Sequence, residues 1–320
     1  MSTAGGLISV GIPTWNRSHY VVDAVQSCLN QTYENLQIVV CDNASTDDTW
    51  QKLNSIQDPR LCLIRQSSNV GGAANSNACL QNARGELFLL LCDDDLLEPT
   101  AIEKLSKPFW EGFDGVPPGS IGLTWTPPMN VDQNRKQLWV TRSGPPIESP
   151  VSLMEGLFSG TRGIQFSGVL IRTADAKKYG GYDAGRHKML SDSGNWGRAM
   201  LEYDHAVCVQ EPLMRYTVHS ETATSREGTA EDWQAWGEKL HEDFLAVLRS
   251  RGDSKGEERL ARVKNYFMAN LTVTVLMRYK GKPGWVRVFM KEMWRSRRFM
   301  LTPFVAKRMV KDGWKLFRLK

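Results

Sequence analysis

Along the first hundred residues, short apolar runs alternate with stretches whose apolar positions recur every three or four residues. Residues 7–12 read as a strand halted by Pro13, and residues 36–41 and 61–64 as a second and third strand. A fourth, residues 87–92, is apolar enough to be buried on both faces. Between them, residues 17–29 carry Tyr20, Val21, Ala24, Val25 and Cys28 at helical spacing. Ser45-Thr46-Asp47-Asp48 offers N-cap side chains for a helix through Ile56, and residues 71–83 form a helix rich in small residues. Strands of this kind alternating with helices predict an α/β fold with a mainly parallel sheet covered on both sides.

The pattern then changes. Residues 112–150 are rich in Gly and Pro, with strand-like islands at 121–126 and 137–141, which predicts a sheet edge, a hairpin and mobile loops. Residues 100–110 look helical, 164–171 read as a strand, and 192–201 as a helix, with strand-like text around Val207 and Tyr216. Beyond Glu231 the chain is expected to be helical, because Trp233, Trp236, Leu240, Phe244 and Leu248 form one stripe.

Composition adds limits. A chain of 320 residues, 41% hydrophobic and 23% charged, is that of a folded protein able to bury a sizeable core. Residues 1–6 lack the basic and apolar regions of a secretory leader, and the apolar runs are strand-sized, so no leader and no membrane span are expected. The six cysteines form no C-x-x-C pair, which predicts buried free thiols in a reducing cytoplasm. Charge is uneven. Residues 278–320 hold fourteen Lys and Arg against Glu292 and Asp312, a net of +12; with +5 overall, the first 277 residues carry −7.

Ligands of open α/β sheets bind beyond the carboxyl ends of the strands. Strand one ends in Pro13-Thr14-Trp15-Asn16-Arg17, strand two in Asp42-Asn43-Ala44-Ser45, and strand four in Asp93-Asp94-Asp95. Together they offer an aromatic face, amide and carboxylate acceptors, and dense negative charge. Three adjacent carboxylates call for a counter-charge, and Mg²⁺ or Mn²⁺ commonly bridges one or two of them to a diphosphate. The plain structural alternative is a solvated turn before the next helix.

These blocks resemble family 2 glycosyltransferases of the GT-A fold: residues 8–17, residues 41–49 and Leu90-Leu91-Cys92-Asp93-Asp94-Asp95, in that order and spacing. The similarity continues through Asn69-Val70-Gly71-Gly72, residues 167–172 and Gly180-Gly181-Tyr182-Asp183, covering roughly residues 7–225. The resemblance implies a GT-A, Rossmann-like, mainly parallel sheet with a helical C-terminal extension. It divides the chain into a catalytic domain over 1–228 (a nucleotide-binding half to residue 98, an acceptor half from 99) and a basic extension over 229–320.

It further implies a metal-assisted, inverting transfer of a sugar from a UDP- or dTDP-type donor to a hydroxyl of a glycan or lipid-linked acceptor. Pro13, Thr14, Trp15, Arg17, Asp42, Asn43, Asn69 and Asp93 would line the nucleotide, with Trp15 as the stacking face. Asp94, with Asp95, would ligate the divalent metal. Asp192, in Ser191-Asp192-Ser193-Gly194-Asn195-Trp196, would be the base; its plain alternative is an N-cap. His219, in Tyr216-Thr217-Val218-His219, would touch the diphosphate or the metal from a closing loop.

Two competing functions remain at this point. A catalytically idle relative acting as a partner protein is one. A sugar-phosphate nucleotidyltransferase is the other, although its Gly-rich basic loop is missing after strand one. The tail from residue 281 mixes seven Trp and Phe with many Lys and Arg. Two readings of it stand side by side: peripheral contact with the inner face of an anionic membrane, or a helical cap packed on the catalytic domain. No nucleic-acid partner is expected, since no recognised binding module accompanies the charge.

Overall fold

The computed structural model describes residues 5–183, 185–219, 228–277 and 285–295. The first hundred residues follow the expected alternation: β1 (Ile8–Thr14), α1 (Val21–Leu29), β2 (Leu36–Asp42), α2 (Thr49–Asn54), β3 (Leu61–Arg65), α3 (Gly72–Asn82) and β4 (Leu87–Leu90). These four strands pair in parallel, in the order β3-β2-β1-β4.

Strand alternation sorts the side chains onto two faces. Ile8, Val10 and Ile12 of β1, with Leu36, Ile38 and Val40 of β2, meet α1 and the later helix α4 (Ala101–Glu111). Val39 and Cys41 of β2 meet Cys79 and Leu80 of α3 on the other face. Gly11 is required there. A Cβ on it would stand 2.8 Å from the Cys79 Cβ, so any larger residue would push α3 off the sheet.

Further short strands follow: β5 (Leu96–Leu97), β6 (Ile121–Trp125), β7 (Pro128–Val131), β8 (Gln137–Val140), β9 (Ile147–Glu148), β10 (Val169–Arg172), β11 (His205–Cys208) and β12 (Met214–Thr217). Among the described residues the main sheet has eight strands, β3-β2-β1-β4-β10-β6-β11-β9, with β10 and β9 antiparallel to their neighbours. A second, four-stranded sheet, β5-β12-β7-β8, stands beside it.

Three expectations change here. The strand at 164–171 is interrupted by a 3₁₀ turn at Phe166–Gly168, and only Val169–Arg172 pairs. The turn aims the Ser167 hydroxyl at Asp95, which it reaches at 2.6 Å. The fourth strand ends at Leu90, so the acidic run lies on a turn closed by Asp95 N donating to Cys92 O at 3.2 Å. Finally, residues 121–126 lie inside the main sheet between β10 and β11, whereas 137–140 do form an edge strand, in the expected hairpin with β7.

Helices α5 (Pro150–Phe158), α6 (Thr173–Lys178) and α7 (Ser191–Met200) cover the second half, and α8 (Ala230–Ser250), α9 (Ser254–Met277) and α10 (Trp285–Arg295) follow. The predicted stripe of α8 is buried at Trp233, Leu240, Phe244 and Leu248. It shares one core with Met200, Trp196 and Phe158, so α8 and α9 pack against the preceding elements rather than standing apart from them. All six cysteines are free thiols, and four are buried. No helix among the described residues is long and apolar enough to cross a membrane.

Candidate functional site

The carboxyl ends of β1, β2 and β4 converge, as strand order requires. Trp15 leaves β1 with half its surface exposed, its ring open to a flat ligand. Asn16, in the left-handed region at φ 52°, turns the chain so that its amide N donates to Ser45 Oγ at 2.9 Å while its side chain accepts from Thr46 N at 2.8 Å. Arg17 N donates to Thr49 Oγ1 at 3.0 Å, tying the start of α1 to α2. Pro13, half-buried, precedes Thr14 on the same strand end.

Below Trp15 lies a buried polar layer. Asp42 is fully buried; its carboxylate accepts from Ser45 N at 3.1 Å and faces Arg65 Nε at 3.3 Å. Asn43 Nδ2 donates to Asn69 Oδ1 at 3.0 Å, and Asn43 Oδ1 accepts from Val70 N at 2.9 Å. The structure therefore joins Asn43 and Asn69, which are far apart in sequence, into one bridge across the ends of β2 and β3.

Thr14 Oγ1 donates to Asp93 Oδ2 at 2.7 Å, linking this ledge to the acidic turn. Burial, with Asp94 adding, pushes the Asp93 carboxyl up to about 7. Asp95 is raised as well, by burial and then by Asp94. The turn is short of positive charge, which is the condition a bound cation relieves. Asp95 Oδ2 accepts from Ser167 Oγ and Oδ1 from Thr217 N at 2.9 Å. Asp94 Oδ2 lies 2.8 Å from His219 Nε2, leaving Oδ1 outside that contact.

Ligand atoms of Cys92, Asp94 and Asp95 lie within 4.8 Å of one another. The donor set fits a hard divalent ion through its carboxylate oxygens. The Cys92 thiol does not compete, because burial and the neighbouring carboxylates hold its pKa well above the usual thiol range and keep it protonated.

One residue beside the acidic turn escaped sequence reading. Arg135, on the β7–β8 turn at φ 65°, donates from Nη1 to the Asp94 carbonyl at 2.8 Å and to Thr217 Oγ1 at 2.6 Å. Thr217 Oγ1 in turn donates to the same Asp94 carbonyl. The Arg135 guanidinium lies 5.6 Å from the centre of the Tyr20 ring, which stacks on His219 at 5.5 Å. Nothing in the sequence marks Arg135, since its hydrogen-bond partners lie far along the chain.

Asp192 lies in the first turn of α7, half-buried. It is not the N-cap, which is Leu190, so the plain capping alternative does not hold. Burial pushes its carboxyl up to about 6. Burial raises the Tyr216 phenol, and the carboxylates of Asp95, Asp94 and Asp192 raise it further, so the acidic turn and Asp192 both lie within electrostatic reach of one hydroxyl.

Known proteins resemble this chain in sequence and fold. Residues 9–129 match the family model described as glycosyl transferase family 2. The Escherichia coli enzyme WfaP, a UDP-Glc:alpha-D-GlcNAc-diphosphoundecaprenol beta-1,3-glucosyltransferase, is 38% identical over 96 residues, which are 30% of this chain and 38% of that one. Chondroitin synthase of Escherichia coli is 36% identical over 129 residues, 40% of this chain and 18% of that one. The matches thus span well under half the length of these relatives.

Solved structures carry the same fold at low identity. S. aureus TarS in complex with UDP-GlcNAc superposes over 96% of this chain and 92% of that one, with a TM-score of 0.60 at 15% identity. The mannosyltransferase PcManGT from Pyrobaculum calidifontis, in complex with GDP-Man and Mn²⁺, covers 98% of this chain and 88% of that one, with a TM-score of 0.54 at 15% identity. The likeness to these structures shows a GT-A fold, and residues 9–129 match the model of glycosyl transferase family 2.

Proposed function

We propose that this chain transfers a sugar from a nucleotide-diphosphate donor, of the UDP or dTDP type, to a hydroxyl of a glycan or lipid-linked acceptor, with inversion. Residues 1–228 are the catalytic part and 229–320 the extension. The observation that carries the reading is the buried acidic turn, whose Asp94 and Asp95 could hold a divalent ion beside the exposed Trp15. WfaP, whose name gives a UDP-Glc donor and a diphosphoundecaprenol-linked acceptor, supports the donor and acceptor classes. The enzyme would then work on the inner face of a membrane.

In this reading Trp15 stacks on the base, and Asp42, Asn43 and Asn69 shape its edge pocket together with Pro13, Thr14 and Arg17. Asp93 meets the ribose. Asp94, with Asp95, would hold a Mg²⁺ or Mn²⁺ ion, which supplies positive charge for the departing diphosphate when bound. His219, held against Asp94 and Tyr20, closes the diphosphate end.

Asp192 takes the proton of the acceptor hydroxyl as its oxygen forms the new bond to the anomeric carbon. The bond from that carbon to the diphosphate oxygen breaks, and the nucleoside diphosphate leaves with the electron pair. A base with a carboxyl near pH 6 is ionised at neutral pH and retains useful basicity. Asp192→Asn is expected to lower transfer by about 10²–10⁴-fold while nucleotide affinity by calorimetry stays within a few-fold. The native rate should fall about tenfold per pH unit below about 6, as Asp192 becomes protonated. Turnover by Asp192→Asn at the native rate would remove the assignment.

A further inference from the structure

Helix α10 leaves an apolar stripe in solvent. Val286, Met290 and Trp294 follow one another at four-residue spacing, which places them on one side of the helix. They are 51%, 62% and 68% exposed. Arg287 and Lys291 each follow a stripe residue and are exposed too, so a cationic flank runs beside the apolar row. A row of this kind marks an interaction surface.

Of the two occupants the sequence left open, the catalytic core is excluded for these three side chains by their exposure. A second copy of this chain would bring two cationic flanks together. A nucleic acid would meet the cations but leave the apolar row in water. An anionic lipid surface answers both features, because apolar side chains enter the acyl boundary while Arg and Lys remain at headgroup depth. Tryptophan at one end of the row suits that boundary. The charge balance agrees, since residues 278–320 carry a net of +12 while the rest of the chain is acidic.

We infer that α10 lies in the plane of an anionic lipid surface, with Val286, Met290 and Trp294 inserted and Arg287 and Lys291 against lipid phosphates. This deepens the lipid-linked acceptor reading and rests on it only for its purpose, not for its physics. It assigns the membrane contact to one face of one helix, whose charge makes binding depend on lipid composition and salt.

The test uses the full chain in flotation with phosphatidylcholine vesicles, with and without phosphatidylglycerol. The native protein is expected to float with the anionic vesicles and to remain below with the neutral ones. V286S/M290S/W294S is expected to lose about tenfold or more in partitioning. R287Q/K291Q should weaken binding and flatten its salt dependence. Equal flotation on both vesicle types, or native-like flotation of the triple variant, overturns the inference. So does a native dimer that the triple variant converts to monomer while neither form floats. Donor hydrolysis without vesicles should be the same in all three proteins. If hydrolysis is missing from every one while the native protein still floats, the transferase reading fails and the surface contact stands.

Discussion

The strands before Leu90 and the strands after it are held by different kinds of contact. β1, β2 and β3 lie beside strands next to them in sequence order, β4 adds in parallel to β1, and their side chains alternate between two apolar layers. The later strands are two to five residues long and are fixed by polar links over long sequence distances, such as Thr126 N to Gly168 O and Leu213 N to Thr126 Oγ1. In the proposed reading the first region is the ledge that receives the donor. The second surrounds the acidic turn, and its geometry depends on single hydrogen bonds. Binding and chemistry should therefore respond to different substitutions.

Arg135 offers the largest separation between the two. Replacing it with Gln removes the donor that fixes the Asp94 carbonyl and Thr217 together, and a loss of that kind typically costs about 10–100-fold in metal affinity or activity. The measurement is kcat/KM as a function of Mn²⁺ concentration, with Arg135→Lys expected to recover part of the loss. A half-saturating Mn²⁺ concentration unchanged in Arg135→Gln would show that the second region does not shape the acidic turn.

On the ledge itself, Trp15→Ala should weaken nucleotide binding by about 1–3 kcal/mol, the usual value of one base stacked on an aromatic ring. The loss should appear in calorimetry with the free nucleotide and carry no change in the Mn²⁺ dependence. Equal affinities for native and variant would place the base elsewhere.

The smallest effect concerns neither ledge nor cleft but the wall behind them. A Cβ at Gly197 of α7 would lie 2.5 Å from Phe244 Cζ of α8, so Gly197→Ala should cost about 1–3 kcal/mol of stability in urea unfolding. A neutral result would mean that α8 is only loosely seated on the helix that carries Asp192.

What could be foreseen follows the same division. The first four strands and their helices were legible because apolar period and strand length agreed there, and the residues after each strand then pointed to the ledge. Helix α5 had a readable start in Ser149 and Pro150, where the Ser149 hydroxyl accepts from Ser152 N, but Gly and Pro nearby obscured it. The 3₁₀ turn at Phe166–Gly168 was not readable, because its cause is the distant Asp95. Arg135 was hidden for a related reason: a side chain whose partners are a carbonyl 41 residues away and a hydroxyl 82 residues away leaves no local pattern.

The Asp95 carboxylate has a consequence for the order in which the molecule assembles. Its two oxygens gather Ser167 and Thr217, partners 72 and 122 residues further along the chain. Closing loops of that length costs entropy that local strand pairing does not. On a growing chain the first four strands can pair as soon as they emerge, and the ledge around Trp15 and Asn43 can form with them. The acidic turn has to wait until β12 arrives. Recognition of a nucleotide would then precede competence for transfer within the same folding molecule, and a chain stalled before residue 219 would hold a donor it could not use.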